Sequence, residues 1–499
     1  MANELEIPRH LRLPGDEGYR TPMIEDTERQ LELSSYFPED LSHLHLHRSV
    51  GEAHVSTLER VNSLALRPNR SRCTAHGDCN SHYCIDLAER LPSAKEEDTE
   101  SEQSNGKLGF KHRIRHMTWA YFTLTMATGG IANVLHHIPT SYRFNGLETI
   151  GLVIFLLNIV LYIAIWSLLL VRFTYFPYTF KASFLHPTES LFAPATVVSF
   201  GTILINISQY GPDRTGPWLL DVVRVLFWFD LALAFCLSAG VYLLLWSTQT
   251  FTIAQMTPIW IFPAYPMLII GSHAGVLSAQ LGPRQSFYII VGGFIIQGVG
   301  FLVSLMVYSA FIYRLMTQKL PKENIRPGMF VSVGPSAFTV AGILTMAENA
   351  ERAFPSDLFG DGKLAAMIVR VIANFACLWL WGLAIFFFFI AASAHLPPFM
   401  QGGRMVFSMT WFSFVFPNTA LITATFAIGK VFLCRPIEIL GLAMSILLII
   451  VYLFVVYMMI RAIVLRHILW PQKGEDKDEG GFRIAEIKPE SPLRGTTPV

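Results

Sequence analysis

Trp411-Phe412-Ser413-Phe414-Val415-Phe416-Pro417-Asn418-Thr419 lies in the middle of an apolar run covering residues 405–428. A run of that length crosses a bilayer, which takes roughly 20 apolar residues. Proline inside a helix removes a backbone donor, and in hydrocarbon the freed carbonyl must find another partner. Such breaks are tolerated where protein or a water-filled cavity supplies one. Phe416-Pro417 followed by Asn418 and Thr419 therefore reads as backbone facing a pathway, with an aromatic plug beside polar groups. Taken alone, the stretch is equally compatible with a kinked helix that faces lipid.

Outward from this stretch the chain holds nine more apolar runs. In order the ten occupy residues 116–138, 147–171, 188–208, 218–246, 258–280, 286–313, 328–347, 364–391, 405–428 and 437–465. The chain is 52% hydrophobic and 15% charged, which suits many crossings better than several soluble domains. The expected fold class is an all-α polytopic membrane protein of ten helices.

Proline is distributed unevenly among the runs. Runs three, five, seven and nine carry Pro194; Pro258, Pro263 and Pro266; Pro335; and Pro417, whereas the even runs carry none. Run one has small and polar residues, Thr125-Met126-Ala127-Thr128-Gly129-Gly130, in the corresponding place. The odd runs also hold most of the mid-membrane Ser, Thr and Asn, while Leu, Ile, Val and Phe dominate the even ones. Broken polar helices belong against a cavity and plain apolar ones against lipid. Five helical hairpins around an axis, odd helices inside and even helices outside, satisfy both demands. Small residues that serve only close helix packing are the competing explanation.

The flanking segments differ in character. Residues 1–110 are polar and lack the apolar core of a signal peptide; they are expected to be a largely disordered cytoplasmic tail. Residues 467–499 are expected to be a second such tail, leaving 111–466 as the transport domain. Basic residues concentrate in the loops on the side of Lys107–Arg115, so both termini are expected in the cytoplasm. Cys73, Cys79 and Cys84 lie near His76 and His82, but the spacing is not that of a paired zinc motif. No metal and no cofactor are expected.

Ionisable side chains within the membrane are costly and are functional candidates by default. Here they are few: Asp221, Arg224, Asp230, His273, Glu348 and Arg370. Asp221 and Arg224 are spaced to pair with each other on one helix face, and Arg224 could instead lend positive potential to an anion route. His273 is either a packed, hydrogen-bonded side chain or a titratable pathway group. No metalloprotease, phosphate-loop or paired-carboxylate pattern is present, so an enzyme and an ATP-driven pump are disfavoured. The near-neutral net charge of +1 and the absence of a basic block give no sign of nucleic-acid binding. A path of hydroxyls, amides and helix breaks with few carboxylates suits anions.

Several motifs carry a family resemblance. The segment from His116-Met117-Thr118-Trp119 to Gly129-Gly130 resembles the fungal malic acid transporters of the tellurite-resistance/dicarboxylate transporter family. So do PIWIFPAYP (258–266), RPGMFVSVGPSAF (326–338) and the Trp411 stretch continued to Ile428-Gly429-Lys430, in matching order over about 111–466. That family also includes sulfite efflux pumps and plant slow anion channels. The resemblance implies a central pore among five hairpins, often in a homotrimer, occluded by a phenylalanine of the ninth helix. Phe416 matches that position, with Phe414 as the alternative. It also implies a plasma-membrane carrier of malate and other C4-dicarboxylates, proton-coupled or channel-like. Candidate pathway residues are Thr128, Gly129, Asn133, Arg224, His273, Ser336, Asn418 and Thr419. A sulfite exporter is the alternative within the family, and a membrane receptor or scaffold the alternative outside it.

Overall fold

Each odd-numbered apolar run folds in two pieces, a short leading segment and then an α-helix. The leading segment is a 3₁₀ turn in four of them: Trp119–Tyr121 before α1 (Phe122–His137), Pro258–Ala264 before α5 (Tyr265–Ser278), Arg326–Val333 before α7 (Gly334–Ala353) and Met409–Phe414 before α9 (Phe416–Val431). In the third, the one-turn helix Glu189–Phe192 precedes α3 (Ala195–Tyr210). The even runs are unbroken helices: α2 (Leu147–Tyr175), α4 (Trp218–Thr248), α6 (Pro283–Gln318), α8 (Gly362–Met400) and α10 (Arg435–Val464). The computed structural model describes residues 110–248, 253, 256–323, 325–400 and 406–469, and those residues form helices and connecting turns without a strand. The two expected tails and the Cys/His cluster at 73–84 lie outside the described residues, except for the edges of the helical domain itself.

The prolines act differently from the sequence expectation. Pro266, Pro335 and Pro417 stand in the first turn of their α-helices, and Pro194 caps α3. The absent N–H there is one the helix would leave unpaired anyway, and the fixed φ favours starting the helix. The break thus falls between a 3₁₀ segment and a fresh helix, rather than within one bent helix.

The five odd helices close into a ring, α1–α3–α5–α7–α9 and back to α1, each touching its two neighbours. Each even helix packs outside, against the odd helix before it and the one after it, and α10 completes the circle on α9 and α1. Burial follows the same division. In α3, α5, α7 and α9, together with their leading segments, 83–89% of the most apolar window is buried, against 22–39% in the even helices. In α1, Phe122 to Leu135 are buried apart from Asn133. The even helices expose Leu156, Phe229, Ile295, Trp379 and Phe454, an apolar surface suited to the hydrocarbon of a bilayer. Among the described residues, nine helical segments are long and apolar enough to cross a membrane; α1 is the short tenth member of the ring.

Among the described residues, one ion pair lies wholly inside. Arg172 at the end of α2 donates to Glu189 at 2.7 Å and also to the Met117 carbonyl, and both side chains are fully buried. The pair ties α2, the segment leading into α1 and the helix leading into α3 at a single point.

Candidate functional site

A narrow cavity runs along the axis of the ring, and every odd helix contributes to its wall. α1 supplies Gly130, Asn133 and His137; α3 Thr202 and Ile205; α5 Ile269, Ser272 and Val276; α7 Phe338, Ala341 and Thr345; α9 Phe416, Thr419, Ala420 and Thr423. Its volume of about 20 Å³ holds about one water-sized sphere, so the passage is closed to an organic anion in this state. No carboxylate stands among the lining residues.

Two rings narrow the end at which α7 and α9 begin. Phe416 lies 5.2 Å from Phe338, centroid to centroid, and 6.1 Å from Tyr265. Phe416 and Phe338 are buried, and the Tyr265 hydroxyl donates to the Val331 carbonyl, which anchors the support beneath them. Phe416 is the first residue of α9, with Pro417 beside it in the first turn, and its side chain lines the axial cavity. Beyond the aromatic pair the helices approach closely. A Cβ on Gly130 would lie 2.8 Å from the Thr419 hydroxyl, so only glycine lets α1 and α9 meet there.

The polar wall divides into spent and available groups. Thr202, Thr345, Thr419 and Thr423 each donate to a backbone carbonyl within their own helix. The Ser272 hydroxyl has no hydrogen-bond partner among the described residues. Asn133 accepts from the Gln209 amide at 2.7 Å, which leaves its own N–H₂ for the cavity. His137 Nδ1 meets the Asn133 carbonyl at 2.9 Å, so its Nε2 is the free edge of the ring.

Of the residues singled out from the sequence, Asn133, Phe416 and Thr419 line this cavity. Thr128 turns outward and meets the Tyr452 hydroxyl of α10 at 2.9 Å. Gly129 faces Asn158 of α2, and its carbonyl accepts from Asn206. His273 is enclosed between Ser208, at 3.3 Å, and the Phe227 ring. Ser336 is buried in the first turn of α7, away from the lining. The Asn418 amide donates to the Phe414 carbonyl at 2.9 Å. Phe414 packs on Phe330 and His395, at 5.3 and 5.1 Å, outside the axial lining. Arg224 sits on α4, partly exposed, 3.2 Å from Asp221, so the structure does not bring it to the axis.

Other residues matter that sequence reasoning passed over. Phe338, Thr202, Thr345, Thr423 and His137 belong to the wall. The outer helices also turn polar side chains inward against glycines of the ring: Asn158 at Gly129 and Gln297 at Gly271, both passed over, and Asp230, already singled out as ionisable, at Gly201. Gln297 donates to Thr339 at 2.8 Å. Each such contact fixes an outer helix to its inner partner.

Comparison with known proteins bears on what this arrangement is. Residues 116–460, which span α1 to α10 nearly whole, match the family model described as voltage-dependent anion channel. A malic acid transport protein of Schizosaccharomyces pombe is 31% identical over 364 residues, covering 73% of this chain and 82% of the relative. A sulfite efflux pump of Arthroderma benhamiae is 25% identical over 332 residues, covering 66% and 86%. An uncharacterized transporter of Methanocaldococcus jannaschii is 20% identical over 328 residues, covering 66% and 89%. A ring of broken helices around an acid-free axis, in a chain matched to that model over most of its length, is a membrane protein of the voltage-dependent anion channel family, and the chain belongs to it.

Proposed function

We propose that the chain moves C4-dicarboxylate anions, malate foremost, with succinate and fumarate as further substrates, along the axis of the five inner helices. The observation that carries this is the axial wall, to which all five odd helices contribute and whose polar groups among the described residues are hydroxyls, one amide and one imidazole set between apolar side chains, with no acid to repel an anion. The malic acid transport relative, matched over 82% of its length, supports malate as the first substrate to test. Phe416 is the gate, held shut against Phe338 and Tyr265. Ten spans cross the plasma membrane in this reading, with both termini in the cytoplasm, and copies assemble through their apolar outer faces as a homotrimer.

The test is flux into liposomes containing the purified protein, with labelled malate and sulfite each supplied under an imposed pH gradient and, separately, an imposed voltage. Malate entry exceeding sulfite supports the reading, and sulfite entry alone overturns it. The sulfite reading is favoured by one specific observation, the efflux-pump relative covered over 86% of its length. Removing the residues before Lys107 leaves malate flux intact if the tail is no part of the pathway; loss of flux favours a receptor or scaffold role for the chain.

A further inference from the structure

Among the described residues, His137 is the one titratable side chain in the axial lining. Its Nδ1 stands 2.9 Å from the Asn133 carbonyl, which can only accept, so Nδ1 must carry the hydrogen. A neutral ring then has a bare lone pair at Nε2. Nothing among the described residues hydrogen-bonds that nitrogen, and the ring borders the cavity. A carboxylate arriving there meets repulsion from the neutral ring and a charge-assisted N–H donor from the protonated one. The helix's own carbonyl has thereby converted an ordinary histidine into a group whose affinity for an anion depends on a proton.

The surroundings favour the anion. Arg143, from the turn after α1, and Lys430, on α9, both act electrostatically on the His137 ring: they attract an anion, and they oppose a positive charge on the ring until an anion is present to offset them. Lys430 is paired with Glu348 of α7 at 2.6 and 2.9 Å, and Glu148 of α2, which acts on the neighbouring His136, is paired with Arg214 at 2.7 Å. His136 lies beside the ring at 5.9 Å, and Arg143 donates to the His136 carbonyl. The α3 and α5 walls facing this region present Gln209 and Ser272, neither of which ionises. Ser272 and the Asn133 N–H₂ supply uncharged donors in the same cavity.

We propose that His137, with Asn133 and Ser272, forms a carboxylate-binding site that takes an anion only together with a proton. This rests on the dicarboxylate reading given above. Anion and proton then raise each other's affinity by the same factor. With one linked proton, the apparent affinity for the malate dianion falls by up to about tenfold for each pH unit above the titration of the ring. The site makes the protein itself the proton carrier, without an acidic relay.

The experiment is calorimetric binding of malate to the purified full-length protein in lipid nanodiscs at about pH 7.5, where a neutral ring must take up a proton before Nε2 can donate to the anion. Repeating it in buffers of different ionisation enthalpy gives the protons taken up per malate bound. The wild type takes up close to one proton. His137→Asn and His137→Gln, whose amides donate at any pH, bind malate with uptake near zero and lose the pH dependence of affinity. Ser272→Ala binds more weakly with unchanged proton uptake. Binding without proton uptake in the wild type, or uptake unchanged in both amide variants, overturns the inference and leaves the substrate reading intact. No malate binding by folded wild type at any pH overturns both. If neither amide variant binds malate, nitrogen-15 NMR of the histidine rings in the wild type decides: one imidazole that becomes doubly protonated on adding malate supports the inference, and rings that stay neutral overturn it.

Discussion

Phe416→Ala removes the ring that lies 5.2 Å from Phe338 and 6.1 Å from Tyr265. Aromatic contacts of this kind contribute about 0.5–1.5 kcal/mol each beyond the area they bury. Two of them hold the closed arrangement by about 1–3 kcal/mol, which corresponds to a roughly 5–150-fold bias in population. Loss of the ring should therefore raise malate flux by about one to two orders of magnitude when the gate limits the rate. A buried Phe→Ala change also costs about 3–5 kcal/mol where the hole stays empty. Here the hole joins the axial cavity and can fill with water, so the low end of that range applies. The assay is initial malate uptake in liposomes, normalised to folded protein by melting of the same preparation. Phe414→Ala is the control, because that ring packs on Phe330 and His395 outside the axial lining and should leave flux near wild type. An unchanged rate for Phe416→Ala, or an equal rise for Phe414→Ala, would refute the gate.

Other outcomes follow from the same coordinates. Arg172→Met alone should destabilise the protein by about 3–5 kcal/mol, because Glu189 is left charged and buried without its partner. Arg172→Met with Glu189→Leu should recover much of that loss in a melting assay. Gly130→Ala should reduce flux and cost about 1–3 kcal/mol, since the added Cβ falls 2.8 Å from the Thr419 hydroxyl and 2.9 Å from its methyl. Adding Thr419→Ala removes both atoms and should restore flux. Arg224→Ala should leave uptake unchanged and alter stability by less than about 1 kcal/mol, as expected for a partly exposed pair on an outer helix.

The ring was legible in the sequence because lipid and cavity select for different side chains over whole helices. Uniformly apolar α2 and α10 contrast with the Ser, Thr and Pro of α7 and α9 at every turn, and that contrast survives without any knowledge of contacts. Phe416 was legible for a narrower reason, the Phe-Pro pair by which it resembles the family, although the sequence suggests a break within a helix and the proline stands instead in the first turn of α9. The rest of the site has no such signature. Phe338 is one of 38 phenylalanines, and only the position of α7 in the ring turns it toward the axis. His137 stands at a helix end beside a second histidine, so its selection depends on which face of α1 meets the axis.

Arg224 and His273 drew attention because charge is rare in a bilayer, yet one is tied to Asp221 and the other is enclosed by Ser208 and Phe227. The polar residues of the outer helices were hidden by their apolar setting. Asn158 and Gln297 are isolated among Leu, Val and Phe; Asp230 stands out by its charge, but the glycine that receives it, like theirs, lies in the preceding helix. Rarity in sequence identifies a constraint, but only helix rotation decides whether packing or transport imposes it.

The most direct test of the axial route uses Thr423→Cys in a background whose native cysteines are replaced by serine, reconstituted for malate uptake. Thr423 lines the axis, and Leu305 of α6 faces outward, so Leu305→Cys serves as the comparison. A negatively charged thiol reagent should abolish malate uptake through the Thr423→Cys protein and leave the Leu305→Cys protein unaffected. Uptake that persists after Thr423→Cys is shown to be fully modified would contradict conduction between the five inner helices.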